Sequence, residues 1–259
     1  MRGAPAGQPA GVDRNLDWEG CFNVRDLGGL RTLAGLRTRW RALVRADDLA
    51  YLTPGGWQAL WAYGIRTIVD LRNDEEVATD LAPRPAGLTM ARVPLDDLDD
   101  REFWEHCWAN ELDGSPLYYR PFLERKPERC AAALAAVARA GPGGVAFHCG
   151  GGRDRAGLVS LLLEALAGVT PEDIVADYEL SNVRLPALWS ARGAEDQVAE
   201  IEAIIARANT TARDLIVDLL ASLDADDYLR RAGIGEGELA ALRARLLGAS
   251  AESTPAARR

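Results

Sequence analysis

The residues best suited to chemistry stand together in His148-Cys149-Gly150-Gly151-Gly152-Arg153-Asp154-Arg155. Cys149 offers a thiol, and the glycines after it let a main chain turn tightly and approach a ligand closely. If a strand ends at His148 and a helix starts near Arg155, several backbone N–H groups converge on one point at the helix N-terminus, which makes an anion cradle. A thiol there is a candidate nucleophile. Free cysteine ionises near a pKa of about 8.5, and a helix N-terminus with nearby arginines lowers that value, so the thiolate is expected to predominate. Arg153 and Arg155 in the first helical turn oppose the macrodipole unless an anion sits between them. Arg155 can present two parallel N–H donors to two oxygens of a phosphoryl group. The combination points to phosphoryl chemistry through a thiol.

The flanking pattern supplies the required elements. Gly144-Val145-Ala146-Phe147 reads as a buried strand. Residues 155–167, apolar nearly all round through Leu158, Val159, Leu161, Leu162, Leu163 and Leu166, read as a central helix. Upstream, an amphipathic helix over 54–63, a strand over 64–71, a helix over 74–81 and a strand over 88–93 give alternating elements. The expected class is therefore α/β, with a mainly parallel sheet flanked by helices and a ligand site beyond the carboxyl ends of the strands. Thr170-Pro171-Glu172-Asp173 is a helix start, and 171–247 reads as helical, with Val198, Ile201, Ile204 and Ile205 on one stripe. Residues 1–15 and 249–259 read as solvated tails around one domain over 16–248.

Composition narrows the function classes. The 259 residues carry a formal charge of −9, so no global field attracts nucleic acid, and any anion site must be a local positive island. Lys126 is the only lysine, which makes the placement of arginines informative. The other cysteines, Cys21, Cys107 and Cys130, lack CxxC spacing and read as inert small hydrophobes. With only His106 and His148 as histidines, a zinc site is not expected. The sequence contains no apolar run of membrane-spanning length and no signal-peptide core, and a reducing cytoplasm is the expected setting.

His148-Cys149, five residues, then Arg155 resembles the signature loop of the protein tyrosine phosphatase superfamily. The fuller pattern, running through Ala156 to Gly157, is similar to that of the bacterial tyrosine/serine phosphatase branch. Asn23-Val24-Arg25-Asp26-Leu27-Gly28-Gly29, Val69-Asp70-Leu71-Arg72 and the helical stretch from Asp227 to Leu247 resemble further segments of that branch. The resemblance implies that Cys149 attacks phosphorus to form a phosphocysteine, that Arg155 binds the phosphoryl oxygens, and that no metal or other cofactor takes part. It implies that Gly150, Gly151, Gly152, Arg153, Ala156 and Gly157 line the substrate site. The branch usually carries Lys at the place of Arg153, and Ser or Thr at the place of Ala156, where a hydroxyl helps the thiolate leave.

Asp154 is the first choice of proton donor, ahead of Asp96 and Asp97 in the acidic run 96–100. His148 is expected to shape the loop by hydrogen bonding. Arg25, Asp26 and Arg72 are supporting residues that either meet substrate or clamp the structure. The aromatics Phe103, Trp104, Trp108, Tyr118, Tyr119 and Phe122 belong either to the core or to a lid over the pocket. Phosphotyrosine, with phosphoserine or phosphothreonine, is the expected substrate class, and phosphoinositides are the alternative. A rhodanese-like sulfurtransferase and a non-catalytic phosphate-binding module are the remaining readings.

Overall fold

The structure, a computed structural model, describes residues 13–77 and 84–248. Most of the expected tails, and positions 78–81 of the helix expected over 74–81, lie outside the described residues. Among the described residues, β1 (Arg25–Asp26), β2 (Leu43–Ala46), β3 (Ile65–Asp70), β4 (Thr89–Arg92) and β5 (Gly144–His148) form one sheet in the order β1-β2-β5-β3-β4. Only β1 is antiparallel to its neighbour. The class is the mainly parallel α/β arrangement expected.

Neither β1 nor β2 was anticipated. In β2, Arg45 interrupts what would otherwise be a short apolar run, and a charge there argues against burial. Arg45 is nevertheless buried, because its charge is matched across the fold.

The helices before the central strand are α1 (Pro54–Tyr63), α2 (Asp74–Val77), α3 (Arg101–Ala109), α4 (Tyr119–Arg125) and α5 (Pro127–Ala138). Thr53 starts α1 by accepting a hydrogen bond from Gly56 N–H. After β5 come α6 (Arg155–Leu166), α7 (Pro171–Arg192), α8 (Val198–Arg207), α9 (Ala212–Ser222), α10 (Ala225–Arg231) and α11 (Glu236–Leu247). Thr170 caps α7 through Asp173 N–H, as the start signal predicts.

Alternation along the strands separates two cores. Leu43, Val145 and Phe147 face the larger one, which holds α6; Val44, Ala46 and Ala146 face a smaller one with Trp57, Leu60 and Ile68. Arg45, one residue on from Val44, therefore shares the α6 face with Leu43. Helix α6 is buried along nearly its whole length, with Leu158, Val159, Leu162 and Leu163 at zero exposure. Its core leucines each contribute roughly 1.5–3 kcal/mol by leaving water, which fixes the start of α6 against the end of β5. Phe103, Trp104, Tyr118, Tyr119 and Phe122 are packed into the same core, and Trp108 alone of that group stands exposed.

Candidate active site

The turn between β5 and α6 is built from Cys149 to Asp154. Gly152 adopts φ +70°, and a Cβ there would fall 2.7 Å from the Ala46 carbonyl and the Asp47 nitrogen, so only glycine fits. Gly157 is also required, since a Cβ would come within 2.6 Å of the Tyr119 hydroxyl. Gly157 thus lets α6 pack closely against Tyr119 and Arg45.

The loop carbonyls from Gly150 to Asp154 are turned outward and held. Gly150 O accepts from Asp48 N–H at 3.1 Å and from Arg192 Nη1 at 3.2 Å. Gly151 O accepts from Asn23 Nδ2 at 2.9 Å, and Gly152 O from Arg45 Nη2 at 2.7 Å. Arg153 O accepts from the same Arg45 nitrogen at 3.1 Å, and Asp154 O from the Tyr119 hydroxyl at 3.1 Å. In a trans peptide the C=O and the following N–H point in opposite directions. Outward carbonyls therefore mean inward amides, and the amides of Gly152 and Ala156 favour the thiolate form of Cys149.

Cys149 is only 2 % exposed. Burial pushes its thiol above the ordinary cysteine value; Arg155 and the two amides oppose this without overcoming it. The direction is opposite to that expected from the sequence. Burial is the larger cause, and the opposing charge of Arg155 is itself shared: Nη1 and Nη2 donate to Glu76 at 2.5 and 2.8 Å, and Nη1 lies 3.2 Å from Asp96 Oδ2. Burial disfavours the charged guanidinium, but Glu76, Cys149 and Asp96 hold its pKa well above the usual arginine value.

The proposed acids have different surroundings. Asp154 is tied to its neighbour, accepting from Arg153 Nε at 3.0 Å. Asp96 accepts from Asn73 Nδ2 at 2.8 Å, and burial raises its carboxyl above the usual range despite the nearby Arg155. Asp97 is turned away to Lys126 and Arg129. Arg153 also points away from Cys149: its Nη2 donates to Gly114 O at 2.7 Å beneath Tyr119 and Tyr178.

His148 is buried, and burial lowers its pKa, so the ring is neutral. Its Nδ1 accepts from Leu49 N–H at 3.5 Å, and its Nε2 lies 3.6 Å from Asp70. Arg72 grips Asp70 with Nε and Nη2, at 2.9 and 2.7 Å, and reaches Asp48 at 2.7 Å. Asp26 holds the backbone nitrogens of Gly28 and Arg41 and the Tyr63 hydroxyl. Arg25 is fully buried against Asp177 and Ser181. Arg25, Asp26 and Arg72 thus stand behind the loop as clamps.

The remaining cysteines are free, and burial pushes Cys107 up to about 11 and Cys130 up to about 12.

Glu76, Arg45, Asp177, Tyr119 and Arg192 went unassigned in the sequence. A usable signal existed for Arg45 and for Asp177 with Ser181, as charged or polar residues inside segments that are otherwise apolar on that face.

A buried thiol in the turn between β5 and α6, with Arg155 beside it, suits the class that its relatives define, the phosphatases. The chain belongs to the tyrosine phosphatase family, whose family model matches residues 16–248, and it is accordingly a phosphatase and a hydrolase. A Cupriavidus necator protein named as a tyrosine-protein phosphatase is 29% identical over 187 residues, 70% of this chain and 68% of the relative. A tyrosine-protein phosphatase of Nostoc commune is 31% identical over 142 residues, covering 54% of this chain and 48% of the relative. The triple specificity protein phosphatase PtpB of Mycobacterium tuberculosis is 29% identical over 276 residues, covering 88% of this chain and 98% of the relative.

Proposed function

We propose that residues 16–248 form one catalytic domain that hydrolyses phosphotyrosine, and phosphoserine or phosphothreonine more slowly, through a phosphocysteine on Cys149. The observation that carries this reading is the set of loop carbonyls, from Gly150 to Asp154, held by groups behind the loop, which turns the loop amides toward Cys149. In the first step the thiolate form of Cys149, its proton given up to solvent, attacks phosphorus; the S–P bond forms, and the bond from phosphorus to the ester oxygen breaks. The leaving oxygen takes a proton from a carboxylic acid. Arg155 and the loop amides bind the equatorial oxygens as charge redistributes. In the second step water attacks phosphorus and gives its proton to the same carboxylate. The S–P bond then breaks, returning the thiolate and releasing inorganic phosphate.

Asp96 is the better proton donor. Its raised carboxyl keeps a proton to higher pH, and it adjoins Arg155, whereas Asp154 is engaged by Arg153. This reverses the order expected from the sequence.

Glu76 and Asp96 beside Arg155 give the mouth acidic character, which favours a singly phosphorylated side chain over a polyanionic phosphoinositide. The name of the Mycobacterium relative supports a breadth beyond phosphotyrosine. The family match favours phosphatase chemistry over sulfur transfer. Among the described residues no helix is long and apolar enough to cross a membrane, and a cytoplasmic setting without a nucleic-acid partner is proposed.

A panel of phosphotyrosine, phosphoserine and phosphothreonine peptides and phosphoinositides, with Cys149→Ser as the blank, tests the assignment. Phosphate release from the phosphotyrosine peptide should exceed release from every other substrate. Faster release from phosphoinositides would reverse the substrate assignment, and release undiminished in Cys149→Ser would remove the mechanism.

A further inference from the structure

Asp177 lies on α7, outside the catalytic loop, and no hydrogen bond joins the two among the described residues. It is fully buried, and the guanidiniums of Arg14, Arg25 and Arg45 converge on it at 2.8, 3.0 and 2.6 Å. Burial works against its ionisation, but Arg25, Arg14 and Arg45 together hold its carboxyl well below the usual range. Glu164 on α6 shares this interior, yet burial and the charge of Asp177 push its carboxyl well above the usual range. Asp177 is the carboxylate around which the arginines are ordered.

Two of those arginines lead to the loop. Arg45 uses Nη1 on Asp177 and Nη2 on the carbonyls of Gly152 and Arg153. Arg25 uses Nε on Asp177 and Nη1 on Asn23 Oδ1 at 2.6 Å, and Asn23 then donates to Gly151 O. A carbonyl pinned outward fixes the next amide inward. The carbonyls of Gly151, Gly152 and Arg153 thus set the inward N–H groups of Gly152, Arg153 and Asp154, the first of which favours the Cys149 thiolate.

We propose that Asp177 is a positioning residue for catalysis: through Arg45, and through Arg25 and Asn23, it fixes the peptide planes that aim the loop amides at sulfur and phosphate. Its substrate-side consequence rests on the proposed function; its effect on the thiol does not.

The test compares wild type, Asp177→Asn and Arg45→Lys in the full chain. Arg45→Lys keeps a cation beside Asp177 but cannot hold the carboxylate and both carbonyls with one compact ammonium. It serves as the deciding variant should Asp177→Asn fail to fold. Three measurements are made on each: kcat/KM for p-nitrophenyl phosphate, orthovanadate affinity, and the pH profile of Cys149 alkylation by iodoacetamide, with Tm as the control. A misplaced cradle should lower kcat/KM and vanadate affinity about 100-fold. Loss of an amide from the thiolate should move the alkylation midpoint up by about one pH unit.

A merely structural role would lower Tm and leave the alkylation midpoint and vanadate affinity as in wild type, and that result overturns the inference. Wild-type protein that neither turns over p-nitrophenyl phosphate nor binds vanadate would instead sink the proposed function. In that case the alkylation midpoint still decides the role of Asp177.

Discussion

Both oxygens of Glu76 grip the guanidinium of Arg155, at 2.5 and 2.8 Å. The pair brings α2 to the mouth of the cradle, with a Glu76 oxygen 3.4 Å from where a Cβ on Gly150 would stand. Such a two-pronged contact fixes the plane of the guanidinium before substrate arrives. Glu76→Ala should therefore lower kcat/KM by about 10-fold or more, because a swinging arginine loses its pre-set orientation. Steady-state kinetics check this, and an unchanged kcat/KM would show that Arg155 needs no such hold.

The burial of Cys149 sets a direction for its titration. Alkylation of the free wild-type protein should turn on with a midpoint above the ordinary cysteine value of about 8.5. Because the folded thiol is raised, its neutral form stabilises the native state below the unfolded value, and that stability is lost as pH rises through the folded value. Arg155→Ala removes the opposing charge and should move the midpoint higher still. A midpoint below that of an ordinary cysteine would contradict the geometry.

Asp96→Asn should depress kcat by about 10²–10⁴-fold for phenyl phosphate, a poor leaving group, and much less for p-nitrophenyl phosphate. The raised carboxyl of Asp96 keeps its proton until pH climbs through that raised value, so wild-type kcat should fall on that alkaline side. The variant should lose this alkaline limb. If Asp154→Asn shows the larger leaving-group dependence, the donor is Asp154.

Ala156 is fully buried beside the sulfur and supplies an amide but no hydroxyl. Ala156→Thr should speed breakdown of the phosphoenzyme more than its formation, since a hydroxyl can donate to the departing thiolate. Rapid-mixing kinetics separate the steps, and an unaltered breakdown rate removes the argument.

The strand, turn and helix around Cys149 were legible because each is written in neighbouring residues: an apolar run, glycines, then an apolar helix. The same holds for Thr170, whose cap and the following proline announce α7 within a few positions. A charge inside an otherwise apolar segment marks Arg45 and Asp177 singly, but their pairing was illegible, because it spans 132 positions and a spacing of that size carries no local signal. The placement of Glu76 against Arg155, across 79 positions, belongs to the same class.

The candidate nucleophile and the kind of anion its loop suits were thus legible in the sequence alone, through residue types within one loop. Tertiary structure decided which way Arg153 turns, which carboxyl beside Arg155 is raised, and whether the thiol is raised or lowered. Each of these depends on burial and on charges brought from elsewhere in the chain, and those exist only once the fold has closed around them.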